Sequence, residues 1–106
     1  MKILNAFSFN MVSEFPATVH AAPITAGEAS ELIQADGGVE SCVGHADTAS
    51  VFSKELGLEV AFNRTSVSLS GGDTAIVGQY RGPRLPEGAT ELPEGSEIVW
   101  LVVTVT

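Results

Sequence analysis

Two histidines and three arginines carry most of the chemistry this chain could perform, and their placement is specific. Val43-Gly44-His45-Ala46-Asp47-Thr48 reads as a strand end, a tight glycine turn and the start of a helix carrying His45. A helix start offers free backbone N–H groups and a partial positive charge, so it suits an anion. An imidazole there could move a proton to or from a bound phosphate. The same spacing also fits a histidine that caps a turn or packs on a sheet. His20 lies in a weak strand without acidic or cysteine neighbours and reads as structural or surface.

Arg64, Arg81 and Arg84 are the only arginines, and the last two flank one loop. Guanidinium forks suit phosphate oxygens. The alternative is that these arginines answer surface carboxylates. Glu87 could orient Arg84 or a ribose hydroxyl, although its copy at Glu94 equally marks a turn residue. Ser8 and Asn10 share one face at the end of an N-terminal strand, where open sheets tend to place ligands. Other chemistry is poorly served. Two distant histidines and one cysteine do not make a zinc site, and no cofactor motif is present. There is no Walker loop, dinucleotide fingerprint or nucleophile elbow.

The elements that must position these residues follow from apolar periodicity. Lys2 to Phe9 predicts a buried strand and Thr18 to Ile24 a weaker one. Thr25-Ala26-Gly27-Glu28 is a capping box, and Ala26, Ala29, Leu32 and Ile33 form a helical stripe ending at Gly37-Gly38. Val39 to Val43 is a short extended segment. Ala49, Phe52 and Leu56 recur at helical spacing until Gly57. Thr65 to Ser70 alternates, and Gly71-Gly72 signals a hairpin whose return strand is Thr74 to Tyr80. Arg81 to Arg84 is a loop. Leu85-Pro86-Glu87-Gly88 and Leu92-Pro93-Glu94-Gly95 read as type I turns with Pro second and Gly fourth. Ile98 to Val105 is almost continuously apolar and predicts a central strand covered on both faces. The expected fold is α/β: one domain over residues 1–106, with a mixed five-stranded sheet flanked by helices.

Composition bounds the function. The chain has 106 residues, of which 44% are hydrophobic, so it can bury a modest core. No apolar run is long enough to cross a membrane, and no membrane partner is expected. A single cysteine excludes an intrachain disulfide, and the expected location is the cytoplasm. The formal charge is −8, from 13 acids and 5 bases, which argues against DNA and other broad nucleic-acid binding. A small phosphorylated ligand is still admissible, because exposed charges beyond a Debye length of about 8 Å are largely screened.

Four motifs occur in register: Asn5-Ala6-Phe7-Ser8-Phe9-Asn10-Met11, Gly44-His45-Ala46-Asp47-Thr48, Asn63-Arg64, and Gly78-Gln79-Tyr80 through Arg84-Leu85-Pro86-Glu87-Gly88. Together they resemble the viral ring nucleases that act as type III CRISPR inhibitors, a family with small archaeal-virus members and relatives in bacteria and phages. The resemblance implies a homodimer that holds cyclic tetra-adenylate across its axis and cleaves it without metal. It implies His45 as general acid and Arg84 as the group on the scissile phosphate, with Glu87 close by. Ser8 would contact the ligand at the attack site, and Asn10 and Arg64 would line the pocket. Arg81 and Gly44 complete the expected binding set. Sequestration of the messenger without cleavage, or a dimeric protein-interaction module, are the alternatives. If the arginines form the anion pocket, replacing Arg64, Arg81 and Arg84 together by Ala weakens cyclic tetra-adenylate binding by about 1.5–3 kcal/mol per lost charged contact, measured by calorimetry. Unchanged affinity contradicts the pocket.

Overall fold

A computed structural model describes residues 1–106. Its strands are β1 (Lys2–Leu4), β2 (Val19–Ile24), β3 (Glu40–Cys42), β4 (Thr74–Arg81) and β5 (Glu97–Val105). Its helices are α1 (Ala26–Ala35) and α2 (Ala46–Leu56). The five strands form one mixed sheet in the order β2-β5-β4-β1-β3. β1 runs parallel to β3 and β4, whereas β5 is antiparallel to β4 and β2. The carboxyl ends of β1, β3 and β4 therefore lie together along one end of the sheet.

Helix α1 starts as its sequence dictates. Thr25 Oγ1 accepts from the Glu28 amide at 3.0 Å, and Glu28 Oε1 accepts from the Thr25 amide at 2.9 Å. Both helices bury their apolar stripes on one face of the sheet: Ala29 and Ile33 of α1 join Ala49, Phe52 and Leu56 of α2 over Ile3, Ile76 and Trp100. The helices thus cover one face only, a narrower arrangement than helices flanking the sheet. The other face is covered by irregular chain. Phe7, Met11, Val12, Val67 and Leu69 pack there against Leu4, Val77, Val103 and Val105. Strand β5 feeds alternate residues to both clusters, as its unbroken apolar run requires.

Three expected elements differ. The first strand stops at Leu4 rather than Phe9. Its partner β3 is three residues long, and Ser8 Oγ captures the Asn10 amide at 3.2 Å, turning the chain into a 3-10 turn over Phe9–Met11. Thr65 to Ser70 is not a strand. It makes a single parallel bridge, Leu69 to Val12, while Val67 and Leu69 pack on the second cluster. Gly71-Gly72 turns the chain without making a hairpin. Asp73 Oδ2 accepts the Ser70 amide at 2.7 Å, and both edges of β4 are already taken by β1 and β5. The two Leu-Pro-Glu-Gly copies are also re-registered. Ala89 and Ser96 donate to the carbonyls of Pro86 and Pro93, so Pro is first and Gly third. Gly88 and Gly95 have φ of +77° and +81°, which is the type II form.

Gly78 fixes how closely α2 sits on the sheet. A Cβ at this position would lie 2.5 Å from Phe52 Cζ and 2.7 Å from Trp100 Cζ3. The two rings meet over it, with centroids 4.8 Å apart. Gly78→Ala should therefore destabilise the fold by about 1–3 kcal/mol through overpacking, read from urea unfolding. Adding Phe52→Leu should recover part of that loss, because the two sites share one space. A neutral single variant contradicts this packing.

Candidate functional site

A depression beside the carboxyl ends of β1 and β4 is built from five stretches of chain. Its larger part, about 480 Å³, has an apolar floor of Phe7, Val77, Leu101 and Val103, with Asn5, Thr48, Gln79 and Tyr80 around it. Its smaller part, about 260 Å³, is lined by Asn5, His45, Thr48, Tyr80, Arg84 and Leu85. Asn5, Thr48 and Tyr80 line both, so the apolar floor and the polar rim adjoin as neighbouring parts of one depression. His45 and Arg84 line only the smaller part.

His45 is exposed and occupies the N-cap of α2, as the sequence anticipates. Its side chain does not cap the helix; Nδ1 lies 3.5 Å from Thr48 Oγ1, the outer limit of a hydrogen bond. The amides of Ala46, Asp47 and Thr48 have no acceptor within the chain. Such an 11-residue helix therefore points unsatisfied donors and its positive end at the rim where His45 stands.

Arg84 comes from the segment between β4 and β5, whose base is anchored by Tyr80. The Tyr80 hydroxyl donates to the Pro83 carbonyl and meets Ser96 Oγ at 3.0 Å. Glu87 lies in the type II turn three residues on, is exposed, and does not line the hollow. Arg64 stands at the His45 turn by a different route. Asn63 donates its backbone N–H to the Val43 carbonyl at 2.8 Å and its Nδ2 to the Ser41 carbonyl at 2.8 Å. That places the Arg64 stem against Gly44, where a Cβ would meet Arg64 Cγ at 3.3 Å.

The structure thus brings His45, Arg84, Gly44 and Arg64 to one end of the sheet. It does not bring Ser8, Asn10 or Arg81 into the hollow. Ser8 is occupied in capping the 3-10 turn, and Arg81 is exposed opposite Glu97 at the end of β4. Asn5, Thr48, Gln79 and Tyr80 line the hollow without having been singled out from the sequence. All four lie inside the motifs quoted above, which was the available signal.

Charge pairing separates the cations into two groups. The amino terminus pairs with Asp36 at 2.7 Å, Lys2 with Glu40 at 3.7 Å, and Lys54 with Glu91. None of the three arginines pairs with any of the 13 carboxylates. Cys42 is half-buried, and burial, then the Glu40 charge, pushes its thiol up, so it is a poor nucleophile. No group of three His, Cys, Asp or Glu side chains is placed to hold a metal ion, and no helix is long and apolar enough to cross a membrane.

A sequence profile of the STIV B116-like family matches residues 1–98. Among solved structures the chain is similar to B116 of Sulfolobus turreted icosahedral virus, at 28% identity and a TM-score of 0.80, over 97% of each chain. No curated protein matches. The chain belongs to the STIV B116-like family.

The Lys54–Glu91 pair also ties the Arg84 segment to α2, and it is sensitive to acid. The hydrogen bond from Lys54, then its charge, holds the Glu91 carboxyl below the usual carboxylate range. A carboxyl lowered in the folded state contributes stability above its unfolded pKa and loses it as pH falls through the lower folded value. Glu91→Gln should therefore melt slightly below wild type at neutral pH, and the two melting curves should merge in acid. The effect is small because the pair is exposed. A gap that widens in acid contradicts this assignment.

Proposed function

We propose that this member of the STIV B116-like family is a metal-independent ring nuclease that opens cyclic tetra-adenylate and so antagonises type III CRISPR signalling. One observation carries the reading: His45 and Arg84 line the same hollow, beside an uncapped helix N-terminus. The unpaired Arg84 and Arg64 and the four in-register motifs support it.

The chemistry follows from tethering. A ribose 2′-hydroxyl attacks its own neighbouring phosphorus when the two are held in line, so positioning supplies much of the acceleration. The new O2′–P bond forms as the P–O5′ bond breaks, leaving a linear product with a 2′,3′-cyclic phosphate. Arg84 stabilises charge on the equatorial oxygens, assisted by the free amides of α2. The 2′-hydroxyl proton passes to solvent water as O2′ bonds to phosphorus, and His45 donates a proton to the departing 5′-oxygen. A homodimer presents this set twice, matching a ligand of even symmetry, and the apolar floor would take the ligand's bases or the partner copy.

The test is incubation of cyclic tetra-adenylate with the protein and a chelator, followed by chromatography. Wild type should yield linear species ending in a 2′,3′-cyclic phosphate. His45→Ala should keep binding and lose about 10²–10⁴-fold in cleavage. Binding with an intact ring would make the protein a sequestering one, and no ligand-dependent rise in melting temperature would leave an interaction module. Unchanged turnover by His45→Ala removes the imidazole from the mechanism.

A further inference from the structure

Arg84 and His45 belong to different parts of the chain, and a single hydrogen bond beside the hollow fastens one to the other. Gly88 N–H donates to Asp47 Oδ1 at 3.1 Å. Asp47 follows His45 by two residues in the first turn of α2, and Gly88 closes the type II turn four residues after Arg84. An acid in a first helical turn ordinarily serves its own helix dipole and free amides. Here the carboxylate accepts from a glycine distant in sequence, while the amides of its own helix stay open. The φ of +77° at Gly88 is one that glycine adopts without strain.

We infer that Asp47 is a positioning residue, whose hydrogen bond to Gly88 holds the Arg84 segment at the distance from His45 that one phosphate requires. The inference rests on the functional reading above. Arg84 is exposed and makes no ion pair, so nothing at its own side chain fixes its position. Tyr80 anchors the base of the segment, and the Lys54–Glu91 pair lies two turns farther along α2, exposed and open to screening by salt. Asp47 supplies the tie nearest the imidazole. In such a site, a misplacement of about 1 Å can reduce the rate by about 10²-fold.

Three variants test this against cyclic tetra-adenylate: Asp47→Ala and Asp47→Ser, which remove the reach, and Asp47→Asn, which keeps an acceptor oxygen. Both truncations should lower kcat by about 10–100-fold with little change in KM, and Asp47→Asn should restore it. A second readout needs no activity. Trypsin should cut the Arg84–Leu85 bond faster in the truncated variants, and at the wild-type rate in Asp47→Asn. Melting temperatures establish that the compared proteins are folded. Wild-type kcat in both truncations overturns the inference, whether or not the segment is cut faster. So does a loss of kcat that Asp47→Asn fails to rescue. A wild-type protein that leaves the ring intact overturns the functional reading instead, and the tryptic rates then decide whether Asp47 holds the segment.

Discussion

Helix α2 rests against the sheet at a height set by position 78, where β4 carries no side chain. Phe52 descends from the helix and Trp100 rises from β5 into the space a Cβ would fill. That contact sits in the cluster that also buries Ala49 and Leu56, so it fixes the helix along its length. The N-terminus of α2 is then carried to the carboxyl ends of β1 and β4. His45 owes its place at the rim to this packing more than to any hydrogen bond of its own, since its imidazole makes one within the chain, to Thr48, at the outer limit of distance. A site built this way inherits the rigidity of the core, while its own side chains stay exposed.

Electrostatics at the rim run against the charge of the whole chain. With a formal charge of −8, the molecule repels anions at long range. At short range the balance reverses. Each lysine and the amino terminus are matched with carboxylates, so the unmatched basic side chains are the arginines, two of which stand near the uncapped helix. Screening over about 8 Å makes this local arrangement the one a bound phosphate feels. An acidic exterior is therefore compatible with the anion binding proposed for the rim, and it disfavours longer nucleic acids.

Much of the fold was legible in the sequence where local and tertiary preferences agree. The Thr25–Glu28 capping box, the stripe of Ala49, Phe52 and Leu56, and the apolar run of β5 each specify one element without reference to the rest. The misses fall where a long-range partner decided. Lys2 to Phe9 has the composition of a longer strand, but β3 offers three residues to pair with and Ser8 bends the chain away. Val67 and Leu69 alternate like a strand, yet they are used as packing over the second cluster. Gly71-Gly72 has hairpin chemistry, but the edges of β4 were claimed from elsewhere. The site follows the same rule. His45, Arg84 and Arg64 stood out as candidates by residue type and turn signals, and Gly44 through the motif it shares with His45; the structure places them at one end of the sheet. Asn5 and Tyr80 did not stand out, because their placement depends on where β1 stops and on the Tyr80 hydroxyl holding the Pro83 carbonyl. The Asp47–Gly88 bond spans two motifs, and no local pattern announces it.

The central claim is that His45 and the hollow meet a phosphodiester directly. The chain's two histidines make this measurable by NMR of their imidazole signals, because His20 lies in the edge strand β2, where alternation turns it away from the hollow-lining Ala21. On titration with cyclic tetra-adenylate, the account predicts that the His45 resonances shift saturably while those of His20 stay in place, and that the shift is lost in Arg84→Ala. A His45 signal that ignores the ligand, or a shift confined to His20, contradicts it.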